Sequence, residues 1–124
     1  MTMQRILIAS DDDFLREMIR RALTGLDAEV HGTRCGREME RLCRRMLFDL
    51  VIVLGAGPFL CGRDPVRRSR PEGVRRPLFY VISWQQAEQT VLSLLECGVD
   101  QYLTFPVSLQ RLRNKVANDL AETE

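Results

Sequence analysis

The chain has 124 residues, 45% of them apolar and 28% charged, with a formal net charge of +1. Those values suit one globular domain, taken as residues 1–124, with enough length to bury a genuine core. They supply no global electrostatic pull toward nucleic acid or membrane. No apolar run approaches the ~20 residues that a membrane-spanning helix needs. Met1–Ser10 carries one arginine and then a strand pattern, not a signal peptide, so a cytoplasmic protein is expected.

The eighteen basic residues are seventeen arginines and Lys115. Codon bias in a GC-rich genome is the plain explanation. The four cysteines, Cys35, Cys43, Cys61 and Cys97, have gaps that fit no short metal-ligand pairing. Scattered free thiols in a reducing compartment are expected, and no metal or cofactor is.

In chain order, Arg5–Ser10 (RILIAS) is a short apolar run and a first strand, followed by Asp11, Asp12 and Asp13. Aspartates there suit the positive N-terminus of a helix, where one can cap free amides for ~1 kcal/mol. That helix is expected over about 14–24, with Leu15, Met18, Ile19, Ala22 and Leu23 on one face, and Gly25 ends it. A weaker strand over 29–33 precedes a second amphipathic helix, about 37–47, with Met39, Leu42, Cys43 and Met46 inward. Residues 50–54 (LVIVL) form an unbroken apolar run, as in a central parallel strand covered on both faces. Gly55, Gly57 and Pro58 close it. Residues 59–76 hold Pro65, Pro71, Gly62 and Gly73, which argue for an irregular loop with one short helical turn. A fourth strand follows over 78–82, a helix over 85–97 closed by Gly98, and a fifth strand over 99–104. Phe105-Pro106 makes a turn, and Ser108 can cap a last helix whose inward stripe is Leu109, Leu112, Val116 and Leu120.

Strand and helix alternate about five times, which implies an α/β doubly wound five-stranded parallel sheet. A flavodoxin-like order 2-1-3-4-5, with an irregular third helix, puts the first and third strand ends beside the switch-point crevice. Ser10, Asp11, Leu54, Ser83 and Phe105 would gather there.

Those positions and their spacing resemble a two-component response regulator receiver domain over about residues 4–120. The resemblance rests on RILIASDDDFLREMI, on DLVIVLGAGP, and on CGVDQYLTFPVSLQRL. In the last stretch Gly98, Asp100, Tyr102, Thr104, Pro106 and Leu109 all fit the family's fifth-strand pattern. The resemblance implies five reactive positions: two acids that help hold Mg²⁺, an aspartate that takes the phosphoryl group, a Thr or Ser, and a lysine. Several oxygens are needed for a hard cation, and metal plus lysine neutralise phosphoryl oxygens during transfer. Carried over ungapped, these positions are Ser10, Asp11, Leu54, Ser83 and Phe105. Three of the five have lost the reactive group, so the resemblance is to a degenerate receiver without its phosphoacceptor. Leu54 and Phe105 are expected to pack together and plug the crevice.

Each surviving residue has two readings. Asp11, Asp12 and Asp13 are either a helix N-terminus or a residual cation site, for which Asp11 is the candidate. Ser83 either keeps the family's hydroxyl role or only satisfies a backbone group at a strand end. Tyr102 matches the aromatic that swings inward in the family, and Trp84 beside Ser83 stands where a small residue is preferred. Tyr102 is therefore either a blocked switch or part of a fixed binding surface.

The functional expectation is a phosphorylation-independent protein-interaction module, not an enzyme. It would use the family's partner face of fourth helix, fifth strand and fifth helix, here 85–97, 99–104 and the helix after Ser108. Val91 and Leu94 would give that face apolar area, and Arg111 and Arg113 a charged rim. The expected partners are a second copy, giving a homodimer, or a kinase or output protein. The alternative is a module sensing a phosphate ligand or nucleic acid through the arginine-rich loop 59–76, with Arg67, Arg68 and Arg70 as forks for phosphate. That loop has only Phe59 for base stacking, so nucleic acid is an unlikely partner for this domain alone.

Overall fold

A computed structural model describes residues 3–55, 69, 77–83 and 98–121. Five strands form one sheet: β1 (Gln4–Ala9), β2 (Ala28–Thr33), β3 (Leu50–Leu54), β4 (Leu78–Ser83) and β5 (Gln101–Thr104). Their spatial order is β2-β1-β3-β4-β5 and every pairing is parallel. Three helices belong to the described residues: α1 (Asp13–Ala22), α2 (Gly36–Arg45) and α3 (Leu109–Ala121). The loop expected over 59–76 (Ser69 apart) and the helix expected over 85–97 lie outside the described residues, as do Trp84, Val91 and Leu94.

The pleat explains how one run of apolar residues feeds two cores. Side chains alternate across a strand, so Leu7 and Ala9 of β1 join one cluster while Ile6 and Ile8 join the other. The first cluster packs Val51, Val53, Phe79 and Val81 against Met39 and Cys43 of α2. The second packs Leu50, Ile52, Leu54 and Ile82 against Ile19 of α1 and Leu112, Val116 and Leu120 of α3. All five residues of β3 are buried. That is why its sequence is continuously apolar and not alternating.

The helix ends shift from expectation for local reasons. α1 begins at Asp13 because the Asp12 side chain accepts the amide of Leu15 at 3.0 Å, making Asp12 the N-cap. α2 ends at Arg45, two residues early. Met46 is extended (φ −133°, ψ 148°), which lets Phe48 turn inward and leaves Leu47 exposed. Asp49 then clamps β3 to β1: its carboxylate accepts from Arg5 N at 2.8 Å, and its amide donates to Arg5 O at 2.8 Å. β5 starts at Gln101, later than the pattern suggested, after the Asp100 carboxylate has accepted Phe79 N at 2.8 Å. Ser108 caps α3 as expected, accepting from Arg111 N at 3.3 Å.

Candidate functional site

The site is the C-terminal edge of the sheet, where parallel strands of a doubly wound fold deliver their last residues. Ladder hydrogen bonds continue past the strand ends and hold this edge together. Ser10 N donates to Thr33 O at 3.0 Å, Gly55 N to Ile82 O at 2.8 Å, and Phe105 N to Ser83 O at 3.0 Å. Gly55 takes φ +83°, a left-handed turn that glycine makes without strain. The Phe105-Pro106 bond is cis.

Ser10 follows β1 and is buried, 1% exposed. Its hydroxyl accepts from Asp12 N at 3.1 Å and lies 3.3 Å from Asp12 O. The hydroxyl thus organises the turn into α1. Asp11 is exposed beside it. The Asp12 carboxylate is committed to the helix cap. Asp13 pairs with Arg16 at 2.5 Å and with Arg34 at 3.6 Å. The hydrogen bond from Arg16, then the charge of Arg34, hold its carboxyl below the usual carboxylate range. Among the described residues, no three acidic, cysteine or histidine side chains converge as metal ligands.

Leu54 ends β3 and is 4% exposed. It belongs to the apolar cluster against which Phe105 packs, half-buried, with Leu103 and Val107. Removing a leucine and most of a phenylalanine from water contributes about 2 kcal/mol each. Ser83 is buried at 7% exposure at the end of β4. Tyr102 packs, partly buried, against the other cluster, the one facing α2.

Ser10, Leu54, Ser83 and Phe105 thus stand at or just past the ends of β1, β3, β4 and β5 along one sheet edge, with Asp11 and Asp12 next in the chain after Ser10. Two residues assigned to a partner face behave differently from each other. Arg111 is exposed and helps line a cavity of about 520 Å³ with Gln101, Leu103, Thr104, Val107 and Lys115. Arg113 instead reaches α1, donating to Ala22 O at 3.0 Å and Thr24 O at 2.5 Å. A cation there meets the negative end of the α1 dipole. Its charge serves the helix end more than any rim.

Sequence reasoning missed Arg16. Its guanidinium donates to Ser10 O at 2.8 Å and grips Asp13 as well. The side chain lies over Gly32 of β2, where an added Cβ would sit 3.0 Å from Arg16 Cδ. The legible signal was the pairing of a first-turn arginine with a glycine in the neighbouring edge strand. A charged helix residue more often points to water, so the pair passed unnoticed.

Comparison with known proteins adds a second line. The chain is 28% identical over 120 residues to the response regulator protein PilR of Pseudomonas aeruginosa, covering 97% of this chain and 27% of that protein. It is 31% identical over 108 residues to the response regulator MprA of Mycolicibacterium vanbaalenii, covering 87% of this chain and 46% of that protein. The chain thus spans half or less of the length of these relatives. A CheY-like receiver domain from Methanospirillum hungatei superposes with a TM-score of 0.82 at 21% identity, covering 98% of this chain and 96% of that one. No family model matches the chain.

Proposed function

Because homologues and fold alike support a response regulator receiver domain, we propose that this chain is a single receiver-like domain that signals by phosphorylation-independent protein interaction. Its setting is a cytoplasmic, two-component-type pathway. The observation that carries this reading is Leu54: a buried leucine ends β3, inside the cluster against which Phe105 packs, where the resemblance implies an aspartate. Only a carboxylate there can form an acyl phosphate. A methyl-tipped side chain has no nucleophile and no reason to leave its apolar surroundings.

The Mg²⁺ that the resemblance implies does not fit the residues present on this reading. A hard cation takes oxygen ligands at about 2.0–2.1 Å. Asp11 brings a single exposed carboxylate, Ser10 a hydroxyl already committed to the Asp12 turn and Leu54 no oxygen at all, while the Asp12 carboxylate caps α1. No step of phosphoryl transfer is assigned to this chain, and it is not read as an enzyme.

The partner face proposed here runs along β5 and α3. Arg111 and Lys115, four residues apart, line the same cavity as Leu103 and Val107, so its lining is both cationic and apolar. The partner is a second copy of the chain, a kinase or an output protein. No helix among the described residues is long and apolar enough to cross a membrane, which suits this setting. Sedimentation equilibrium with and without acetyl phosphate, with pull-downs from the source cell, tests the reading. Self-association or a specific complex, equal in both conditions, supports it. A monomer that captures nothing specific in either condition contradicts it.

A further inference from the structure

We propose that the cavity lined by β5, the turn after it and α3 is a binding site for a small organic phosphate, a phosphoryl head carried on a short aliphatic body. Arg111 and Lys115 supply the positive charge. They stand four residues apart on α3, so their side chains leave the same face of the helix one turn apart, and both line the cavity. Among the described residues, neither the guanidinium nor the ammonium has a hydrogen-bond or ion-pair partner. Asp119, the acid one turn beyond Lys115, accepts from the Tyr80 hydroxyl instead. Two like charges on neighbouring turns destabilise a helix, and an anion held between them reverses that effect.

The rest of the lining indicates what the anion carries. Thr104 and Ser108 bring hydroxyls to the same cavity. Ser108 Oγ accepts from Arg111 N at 3.3 Å, which leaves its own proton for a second oxygen. Leu103 and Val107 give the cavity apolar area, and both are held in place by packing on the core cluster that buries Leu112. A volume of about 520 Å³ lies in the range that takes a small organic ligand. A phosphate monoester carries about −1.5 to −2 charges at neutral pH, so it balances both cations, whereas a carboxylate balances one. No aromatic ring lines the cavity among the described residues, so a nucleobase has nothing to stack on. The site draws its charge from α3 and not from the end of β3. It therefore gives the domain an input that needs no phosphoacceptor, and it goes beyond the partner reading without resting on it.

The test is a titration of the isotope-labelled chain with hexyl phosphate, read by the amide shifts of residues 101–115. Saturable shifts centred on that stretch are expected. Inorganic phosphate should bind at least about tenfold more weakly, because it has no methylenes to bury. Heptanoate, with a similar tail and a single charge, should also be at least about tenfold weaker. Arg111→Gln and Lys115→Gln, with folding checked by circular dichroism, should each weaken hexyl phosphate binding by at least about tenfold. Arg37→Gln removes the same charge from an exposed site on α2 and should leave the affinity within about twofold. The absence of a saturable shift would overturn the proposal. So would equal binding of hexyl phosphate and either control anion, or equal losses in the Arg37 and Arg111 variants. None of these results would touch the partner-binding reading, which sedimentation decides separately.

Discussion

Phe105, from the turn after β5, packs over the apolar cluster that Leu54 joins from the end of β3. The two residues bring oil to an edge where the resemblance implies acids and a lysine. Truncating Leu54 therefore removes core, not chemistry. Leu54→Ala should cost about 2–4 kcal/mol in urea unfolding, the usual range for a buried leucine. Leu54→Asp should cost at least as much, because it buries a carboxylate without a partner cation. It should still take no phosphoryl group from a small donor unless Ser10→Asp and Phe105→Lys are added. Phosphorylation of the single Leu54→Asp variant would show the edge to be more open than its packing indicates.

Arg113 ties the last helix to the first through two carbonyls at the end of α1. Charged donors to backbone acceptors contribute roughly 1.5–3 kcal/mol each when well buried, and less here because the site is partly exposed. Arg113→Ala should cost about 1–2 kcal/mol at neutral pH in denaturant unfolding. Arg113→Lys should recover part of it, since both bonds come from the single Nη1 and the ammonium keeps the charge on a stem of different reach and geometry. An Arg113→Ala chain as stable as the wild type would remove the proposed clamp.

Tyr80 gives a pH dependence. It is fully buried and its hydroxyl donates to Asp119, so burial first and that hydrogen bond second push its ionisation well above the ordinary tyrosine range. The raised value means that the folded state holds the proton longer than the unfolded chain does. The stability is intact below about pH 10, and it falls as pH rises beyond that by up to ~1.4 kcal/mol per unit. Tyr80→Phe should cost about 1 kcal/mol at pH 7 and should flatten the alkaline decline. In a Tyr102→Phe background, tyrosinate absorbance should appear only together with unfolding.

Thiol chemistry separates two cysteines. Cys43 faces the α2 core, and burial pushes its thiol up to about 11, while Cys35 is exposed just before α2. Reaction with a disulfide reagent needs thiolate and access. In variants that each keep one cysteine, Cys43 should react on the order of a hundredfold more slowly than Cys35 at neutral pH. Comparable rates would mean that α2 opens readily from the sheet.

The sheet was legible because β3 has no polar residue to misplace and because strands and helices alternate along the chain. Its order put Ser10, Leu54, Ser83 and Phe105 at one edge, and the strand-end hydrogen bonds place them there. The two arginine anchors were not legible. Arg16 and Arg113 sit on helix surfaces, where a charge usually meets water, and their acceptors are main-chain oxygens that no residue type announces. Arg113's acceptors lie 91 and 89 residues away in sequence. The early end of α2 escaped for a related reason: Met46 and Leu47 fit a helical stripe, and only the burial of Phe48 beyond them ends the helix.

The most direct measurement is the intact mass of the wild-type chain after incubation with Mg²⁺ and acetyl phosphate, beside a phosphorylatable receiver domain as control. With a leucine at the end of β3, the mass should stay unchanged while the control gains one phosphoryl group. A stoichiometric phosphoryl adduct on this chain would contradict the account.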